Sequence, residues 1–343
     1  MKKIMNTVGV DVSKDSLDAY NYHLKEHKQF HNGIPGIKKL IKWVRNSGEL
    51  NNVLFCFEHT GLYSIPLAEY LNAQGLLFAM VPGLEIKRSL GMVRGKNDKI
   101  DSIQIAKYAY LRKEEMEPTV LPSGSITKIK RLLSFRDRLV RQRAQYKGTI
   151  KEFKAFLKAG ENEVLFKTHN DMIKAFDKQI NKIESELMDQ MKCDPKISET
   201  YKLVTSVKGV GFVLGLHFIA YTKCFTCFDN WRKFACYSGI APFDHQSGKS
   251  TSPKKINPMA NKRLKGLLSN AATTSVRFNP EMKAYNERRL KMGKNKLSTQ
   301  NIIRNKIVSR VFAVVKRGTP YVDTMQYAKQ KYYYSNNLNL ELS

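Results

Sequence analysis

An apolar run near the amino terminus reads Thr7-Val8-Gly9-Val10-Asp11-Val12-Ser13. Its β-branched residues predict a strand, and further strand-like segments follow at Ser16 to Tyr22 and at Lys28 to His31. Asp11 lies in the middle of the run, where a carboxylate is expensive to bury unless something positive compensates it. The first strand is therefore predicted to carry a charge that needs a partner.

Helix and strand patterns alternate after the third strand. Apolar residues recur at helical spacing from Ile37 to Val44, and Val53-Leu54-Phe55-Cys56-Phe57 is typical of a strand that is buried on both faces. A helix from about Ile65 to Ala73 and a strand from Leu76 to Val81 complete the pattern. This order predicts an α/β fold with a mixed sheet and helices on both of its faces.

A long helical region follows, from about Thr127 to Lys192, with a predicted break at Ala159-Gly160-Glu161-Asn162. We expect a helical hairpin that serves as a coiled-coil linker. The apolar side chains expected in its seam are Leu132, Leu133, Leu139, Phe153, Phe156, Leu157, Ile173, Phe176, Ile180, Ile183 and Leu187.

The chain is predicted to have three domains: an α/β domain at 1–115, the helical linker at 116–200, and a mainly helical domain at 201–343. In the last, Val207-Lys208-Gly209-Val210-Gly211 joins two helix-like stretches through a glycine turn. This is the pattern of a helix-hairpin-helix, whose backbone amides can bind a phosphate. A plain glycine turn between packed helices would produce the same pattern.

Composition favours a polyanionic partner. The 343 residues include 59 Lys and Arg against 30 Asp and Glu, which gives a formal net charge of +29. No apolar run approaches the ~18 residues that a spanning helix needs, and the amino terminus does not resemble a signal peptide. We therefore expect a nucleic acid rather than a membrane as the partner, and a cytoplasmic location in the prokaryotic cytosol or nucleoid.

The positive charge is concentrated in two regions. Residues 124–159 hold eleven Lys or Arg and two acids, and residues 249–317 hold eighteen against two. A solvated helix face would mix the two signs, so both regions indicate contact with nucleic acid. The candidate nucleic-acid-binding residues are Lys128, Arg131, Arg138, Lys208, Gly209, Gly211, Lys249, Lys254, Lys255, Lys262, Arg263 and Lys265.

The five cysteines do not predict a disulfide framework, since their number is odd and no secretion signal precedes them. Cys224 and Cys227 have the spacing of zinc ligands, but no second cysteine pair is present. The pattern therefore favours small buried side chains over a zinc site.

Three further acids share the problem of Asp11. Glu58 ends the buried run at 53–57, and Asp98 and Asp101 begin a helix pattern at a spacing that points both carboxylates to one face. Considered alone, Asp98 and Asp101 are typical of ordinary helix amino termini. Four acids from separate elements would repel one another, and divalent cations such as Mg²⁺ (or Mn²⁺) remove that repulsion. Paired metals can then support in-line phosphoryl transfer.

These acidic segments resemble the Asp-Glu-Asp-Asp domain of the insertion-sequence family 110 transposases. The matching stretches are Val8 to Lys14, Phe57-Glu58-His59-Thr60-Gly61 and Lys96-Asn97-Asp98-Lys99-Ile100-Asp101. The resemblance implies a RuvC-like, ribonuclease-H-type fold in which Asp11, Glu58, Asp98 and Asp101 are the catalytic metal ligands. Ser102 is a small departure, because those proteins usually have Ala at this position.

A second resemblance to the same family lies at Tyr237-Ser238-Gly239-Ile240-Ala241-Pro242 and Gln246-Ser247-Gly248-Lys249-Ser250. It implies that Ser247 is the nucleophilic serine of a C-terminal transposase domain. A serine needs activation, for which His245 is a candidate base and the metal of the acidic domain is an alternative. Without the resemblance, Ser247 and Gly248 would be interpreted as a turn in a basic loop.

The sequence downstream of the serine departs from the family pattern. Pro258, Ala260 and Lys265 stand where the family tends to have Lys, Gly and Arg. Lysine cannot copy the bidentate fork of arginine, so the contacts of this segment with DNA are expected to differ in detail.

The resemblance implies an RNA-guided DNA recombinase that uses serine and pairs a bridge RNA with donor and target DNA. Its partners would be DNA, a structured non-coding RNA and further copies of the chain, as a dimer or tetramer, because strand exchange needs at least two active centres. A metal-dependent nuclease that uses water without a covalent intermediate is the main alternative. An actin-like kinase or ATPase, suggested by Gly9-Val10-Asp11-Val12-Ser13, and a non-catalytic RNA-binding protein are weaker alternatives.

Overall fold

The computed structural model describes residues 4–46, 48–90, 97–247 and 250–323, and for residues 244–247 and 250–255 the description is limited to backbone pairing. The chain divides into two compact units, 1–121 and 122–343. The predicted boundaries at 115 and 200 stay predictions.

The first unit is built on a five-stranded mixed sheet. The strands are β1 (Asn6–Val12), β2 (Ser16–Asn21), β3 (Glu26–His31), β4 (Val53–Glu58) and β5 (Leu77–Val81). Their order in the sheet is β3-β2-β1-β4-β5. The pairs β3-β2 and β2-β1 are antiparallel, and the pairs β1-β4 and β4-β5 are parallel. This topology confirms the predicted mixed sheet and the RuvC-like fold.

Helices cover both faces of the sheet. The first unit contains α1 (Ile34–Arg45), α2 (Ile65–Ala73), α3 (Gly83–Leu90) and α4 (Asp98–Leu111). One core joins alternate residues of the strands, such as Val10 and Phe57, with α1 and α2. The opposite residues of the strands, such as Cys56, pack with Ile105 of α4 in a second core. Because successive side chains alternate between faces, the continuous apolar run of β4 has a buried partner on each side.

A close approach between a helix and the sheet occurs at Gly9 of β1. A β-carbon at this position would collide with the backbone of α4, lying 2.7 Å from the α-carbon of Ala106. Two residues earlier, the hydroxyl of Thr7 donates a hydrogen bond of 3.0 Å to the Ala106 carbonyl. Gly9 therefore allows α4 to lie directly on β1.

The second unit is helical apart from one hairpin in its described part. It contains α5 (Gly124–Phe156), α6 (Glu163–Cys193), α7 (Pro195–Ser206), α8 (Phe212–Thr222), α9 (Trp231–Tyr237), β6 (Phe243–Ser247), β7 (Ser250–Lys255), α10 (Lys262–Phe278), α11 (Pro280–Lys291) and α12 (Lys296–Arg317). The long hairpin α5–α6 confirms the helical region expected from the sequence, and a short 3₁₀ turn at Ala159–Glu161 forms its break.

The seam of this helical hairpin differs in part from the expectation. Leu133, Ile180 and Leu187 are buried as expected, and their core also includes Ile219 of α8. Phe156, however, is 86% exposed, because α5 ends there, at the tip of the hairpin. The prediction of Phe156 as a seam residue was therefore wrong.

The turn between α7 and α8 has the predicted glycine geometry. Gly209 adopts a φ of +98°, and a β-carbon there would lie 2.7 Å from the carbonyl oxygen of Ala271 in α10. The Ser275 hydroxyl donates a 2.8 Å hydrogen bond to the carbonyl of Lys208. Packing against α10 therefore explains the glycine, and a phosphate contact at this turn stays a prediction.

Replacing Gly9 with alanine is expected to lower the free energy of unfolding by about 1–3 kcal/mol, because α4 must move away from β1. Denaturation with urea provides the measurement. Gly148→Ala is the control, since its β-carbon would meet nothing within 4 Å inside α5. That change should raise stability, by up to about 1 kcal/mol. Equal stability of the Gly9→Ala protein and the wild type would contradict the proposed role of the close contact.

Candidate functional site: an acidic pocket and a serine hairpin

Asp11 and Glu58 occupy corresponding positions on neighbouring parallel strands. They follow Val10 and Phe57, which are register partners in the β1-β4 pair. Asp11 is two residues beyond Gly9, so its side chain leaves the sheet on the face that α4 covers. Parallel pairing therefore brings both carboxylates to one edge and one face of the sheet.

Asp98 and Asp101 reach the same place from α4. The helix begins at Asp98, and the side chain of Asn97 caps it by accepting a 2.7 Å hydrogen bond from the amide of Ile100. Because Ala106 lies over Gly9, the first turn of α4 extends toward the end of β1 that carries Asp11. The four predicted acids thus line one pocket of about 190 Å³, together with Ile86, Lys87, Gln104 and Ile105.

The electrostatics of the pocket are dominated by Asp11. Burial, and then the negative charges of Asp101, Asp98 and Glu58, raise the pKa of Asp11 from 3.8 to about 6. Burial and the repulsion from neighbouring acids therefore both oppose the ionisation of Asp11 at neutral pH. A bound cation would remove both costs.

The four carboxylates line the pocket but do not converge on a single position inside it. Within the described ranges, no three histidine, cysteine, aspartate or glutamate side chains converge closely enough to hold a metal ion. Mutual repulsion favours this separation in the absence of a cation. The donor set nevertheless fits a hard divalent ion, because carboxylate oxygens from two strands and one helix face the same space.

The position of Glu58 is set by Gly83, the first residue of α3. A β-carbon on Gly83 would lie 2.6 Å from the carboxyl carbon of Glu58, so the absence of a side chain at Gly83 leaves room for the carboxylate in its present position. Helix α3 is in turn joined to α4, since the Tyr108 hydroxyl donates a 2.6 Å hydrogen bond to Glu85. Burial and this contact raise the pKa of Tyr108 to about 12. Helix α3 is thus fixed as one wall of the pocket.

Sequence reasoning missed three residues in and beside the pocket. Lys87 and Gln104 line it, next in sequence to Ile86 and Ile105, which pack in the core. Asp18 lies directly opposite Asp11 in the β1-β2 pair and is almost fully buried. Its carboxylate accepts hydrogen bonds from Gln29 at 3.0 Å and 3.2 Å and contacts His27 at 3.0 Å. The alternation of β2 could have identified Asp18 as inward-facing, whereas its partners depend on the pairing with β3.

Ser247 lies in a β-hairpin of the second unit. It is the last residue of β6 and pairs with Ser250 of β7, and His245 pairs with Ser252. The side chains of Ser247, His245, Lys254 and Lys255 are outside the described part of the structure, as is the whole of Lys249. The nucleophilic role of Ser247 and the role of His245 as a base stay predictions.

Ser238 can be compared directly with Ser247. Its side chain is fully buried, and the hydroxyl donates a 2.8 Å hydrogen bond to the Phe234 carbonyl. Ser238 therefore stabilises the end of α9 and is not accessible to a DNA strand. This finding concerns Ser238 alone, and the choice of Ser247 stays a prediction.

The predicted nucleic-acid-binding residues fall into two groups. Arg131, Arg138 and Lys262 are exposed, and Gly211 precedes α8 with free space around its α-carbon. Three others are paired with acids: Lys128 with Glu186 at 2.6 Å, Lys208 with Asp323 at 2.9 Å and Arg263 with Asp137 at 2.5 Å. Lys265 lines a pocket of about 190 Å³ together with Ser238 and Asn261.

Asp137 is the centre of a partly buried network that the sequence did not predict. Its carboxylate accepts two hydrogen bonds from Arg263, and Nε2 of the buried His217 lies 3.5 Å away. Burial by itself would raise the pKa of Asp137, but the contacts with His217 and Arg263 outweigh it and lower the pKa. The network joins α5, α8 and α10.

The cysteines are free in the structure. Cys224 is buried and Cys227 is exposed at the end of α8, and both pKa values are raised by burial. No helix in the described ranges is long and apolar enough to cross a membrane.

Comparison with known proteins covers both units. Residues 8–158 match a family model for the DEDD transposases of IS110, described as a transposase, and residues 201–287 match a model described as "Transposase IS116/IS110/IS902 family". The chain is also similar to the pilin gene-inverting proteins of Moraxella bovis and Moraxella lacunata. Each is 24% identical over 326 residues, which is 92% of this chain and 97% of the relative.

The two family models describe one group of proteins, and their matches together cover more than half of the residues. All four acids lie within the first match, and Ser247 lies within the second. The chain belongs to the IS110 family of transposases.

Proposed function

We propose that this transposase cuts and rejoins DNA through Ser247, with divalent metal at the acidic pocket and with an RNA that selects the DNA sites. The observation that carries the proposal is the pocket itself. Asp11, Glu58, Asp98 and Asp101, which are distant in sequence, line one cavity in a chain of net charge +29. A site that collects negative charge in a strongly basic protein is best explained by metal-dependent chemistry on a polyanion.

The four acids would hold Mg²⁺ or Mn²⁺ at the pocket. When bound, the metal supplies stabilisation of the negative charge that develops during phosphoryl transfer. Gly83 leaves room for the Glu58 carboxylate, and the first turn of α4 orients Asp98 and Asp101. Lys87 and Gln104 can contact phosphate oxygens from the walls of the pocket.

The serine step is proposed as follows. The hydroxyl oxygen of Ser247 attacks a DNA phosphorus, the bond from that phosphorus to the leaving sugar oxygen breaks, and the hydroxyl proton passes to a base, for which His245 is a candidate. The phosphoserine ester keeps the energy of the broken bond. Attack by the sugar hydroxyl of another strand then rejoins the DNA and frees Ser247. The name of the Moraxella proteins, which refers to the inversion of a gene, favours an activity that rejoins the ends it cuts.

A guide RNA is proposed on the resemblance to the family and on the distribution of charge. Exposed arginines such as Arg131 and Arg138 can bind backbones without reading bases. Recognition of the DNA sequence would then depend on base pairing.

Mg²⁺ is expected to stabilise the folded protein, by about 2.7 kcal/mol when its free concentration is a hundred times the dissociation constant. The gain should shrink as the pH falls through about 6, because protonated Asp11 cannot bind the ion. Without metal, the raised pKa has the opposite effect: stability should fall as the pH rises from about 4 to 6. Thermal unfolding with and without Mg²⁺ measures both effects.

Asp11→Asn tests the same site. It should unfold at a higher temperature than the wild type in metal-free buffer, because a repelled charge is removed, and should show no gain with Mg²⁺. Glu26→Gln, an exposed change on β3, is the control and should keep the wild-type response. A full Mg²⁺ response from Asp11→Asn would rule out this pocket as the metal site.

Ser247→Ala is expected to abolish both recombination and the covalent protein–DNA adduct that survives denaturation. Ser250→Ala, its pairing partner in the hairpin, should retain both. The measurement is electrophoresis of labelled DNA after denaturation of the complex. Cut ends without any adduct from the wild-type protein would instead favour a metal-dependent nuclease that uses water.

RNA that co-purifies with the protein should be one defined structured species, with segments complementary to donor and target DNA. Sequencing of the bound RNA measures this directly. A mixture that reflects the abundance of cellular RNA would contradict guidance by RNA and would indicate charge-driven binding alone.

A further inference from the structure

Arg304, in the middle of α12, is a partly buried cation without a carboxylate partner among the described residues. Its Nη2 donates a 3.1 Å hydrogen bond to the side-chain oxygen of Gln300, and its Nη1 donates at 3.3 Å to that of Asn301. Its Nε is buried and has no hydrogen-bond partner. Two neutral amides thus hold the guanidinium, and one of its donors stays unsatisfied.

Three other arginines of the second unit have acidic partners. Arg310, also on α12, donates two hydrogen bonds of 2.6 Å and 2.7 Å to Glu281. Arg136 binds Glu184 at 2.6 Å, and Arg263 binds Asp137. Burying a charge without an opposite charge is costly, and burial accordingly lowers the pKa of Arg304. Arg304 therefore lacks the compensation that these three arginines have. Within the described ranges, Nε of Arg289 is likewise buried without a hydrogen-bond partner.

The amides that hold Arg304 are themselves fixed. Gln300 donates from its amide nitrogen to the Thr273 hydroxyl at 3.2 Å, so its oxygen points to the guanidinium. Asn301 donates at 2.8 Å to the carbonyl of Ile240, and Asn305 donates to the same carbonyl at 3.0 Å. The orientation of Arg304 is thus set before any ligand binds. Such preorganisation is typical of a binding group.

The same contacts link Arg304 to the serine hairpin. Ile240 lies three residues before β6, the strand that ends at Ser247. Two side chains of α12 hold its carbonyl, and one of them also holds Arg304. The cation is therefore placed at the base of the segment that leads into the hairpin.

We propose that Arg304 binds a phosphodiester of the DNA strand next to the β6-β7 hairpin, with Gln300 and Asn301 as positioning residues. A phosphate supplies the charge that Arg304 lacks, and it can accept hydrogen bonds from the second hydrogens of Nη1 and Nη2, each of which already donates once to an amide oxygen. The inference rests on the proposed function in taking DNA as the ligand at this hairpin. It does not depend on the serine chemistry.

The test compares Arg304→Gln with Arg310→Gln in the full-length protein, with any RNA that it carries. Binding of a fluorescein-labelled DNA duplex of arbitrary sequence is followed by anisotropy at several salt concentrations. The logarithm of the association constant falls linearly with the logarithm of the salt concentration. Loss of one phosphate contact in Arg304→Gln should make this slope shallower by about 0.9. Arg310→Gln, whose partner is Glu281, should keep the wild-type slope while unfolding at a lower temperature. An unchanged slope for Arg304→Gln would overturn the proposal.

Chemical modification of the wild-type protein gives a second test that does not depend on the folding of a variant. Phenylglyoxal should modify Arg304 in the free protein, and the DNA duplex should protect it, as measured by mass spectrometry. Equal modification with and without the duplex, or protection by an RNA of arbitrary sequence but not by DNA, would refute binding of DNA by Arg304. Normal recombination by Ser247→Ala together with protection of Arg304 would disprove the serine step and leave this inference intact.

Discussion

The contact between the backbone of α4 and Gly9 of β1 is the constraint on which the acidic pocket depends. With any side chain at position 9, the helix would have to lie farther from the sheet. Ala106 rests on Gly9, so the first turn of α4 reaches the end of β1, where Asp11 and Glu58 leave the sheet together. The convergence of the four acids on one pocket is therefore a consequence of one missing β-carbon as much as of the acids themselves.

The first unit could be predicted largely from its sequence, because its signals are local. Alternation and apolar runs identify the strands, and a carboxylate inside such a run, as at Asp11, indicates a site. Parallel pairing of β1 and β4 then brings Glu58 beside it. Asp18 and Lys87 could not be found in this way, since their positions relative to the pocket depend on strand register and on how α3 packs.

The charge of the second unit was harder to interpret from sequence. A count of basic residues treats Lys128, Lys208 and Arg263 as equivalent to Arg131. In the structure the first three have acidic partners, which lie 58 to 126 residues away in sequence and are brought close only by the fold. Arg304 shows the reverse: its sequence context is ordinary, and only the contacts of α12 reveal that neutral amides hold it and that no described carboxylate does. The difference between a structural and a ligand-binding cation lies in long-range pairing, which composition cannot report.

Each unit holds charge at an energetic cost, negative charge in the first unit and positive charge in the second. The first places carboxylates close together, and the raised pKa of Asp11 measures the cost in the absence of a cation. The second partly buries the guanidinium of Arg304, which has no carboxylate partner among the residues that the structure describes. Folded proteins usually pair such groups internally, as Asp137 and Glu281 do here with their arginines. Because these two costs would be removed by a metal ion and by a phosphate respectively, the unpaired charges of the chain point to ligands, and the paired ones to the fold.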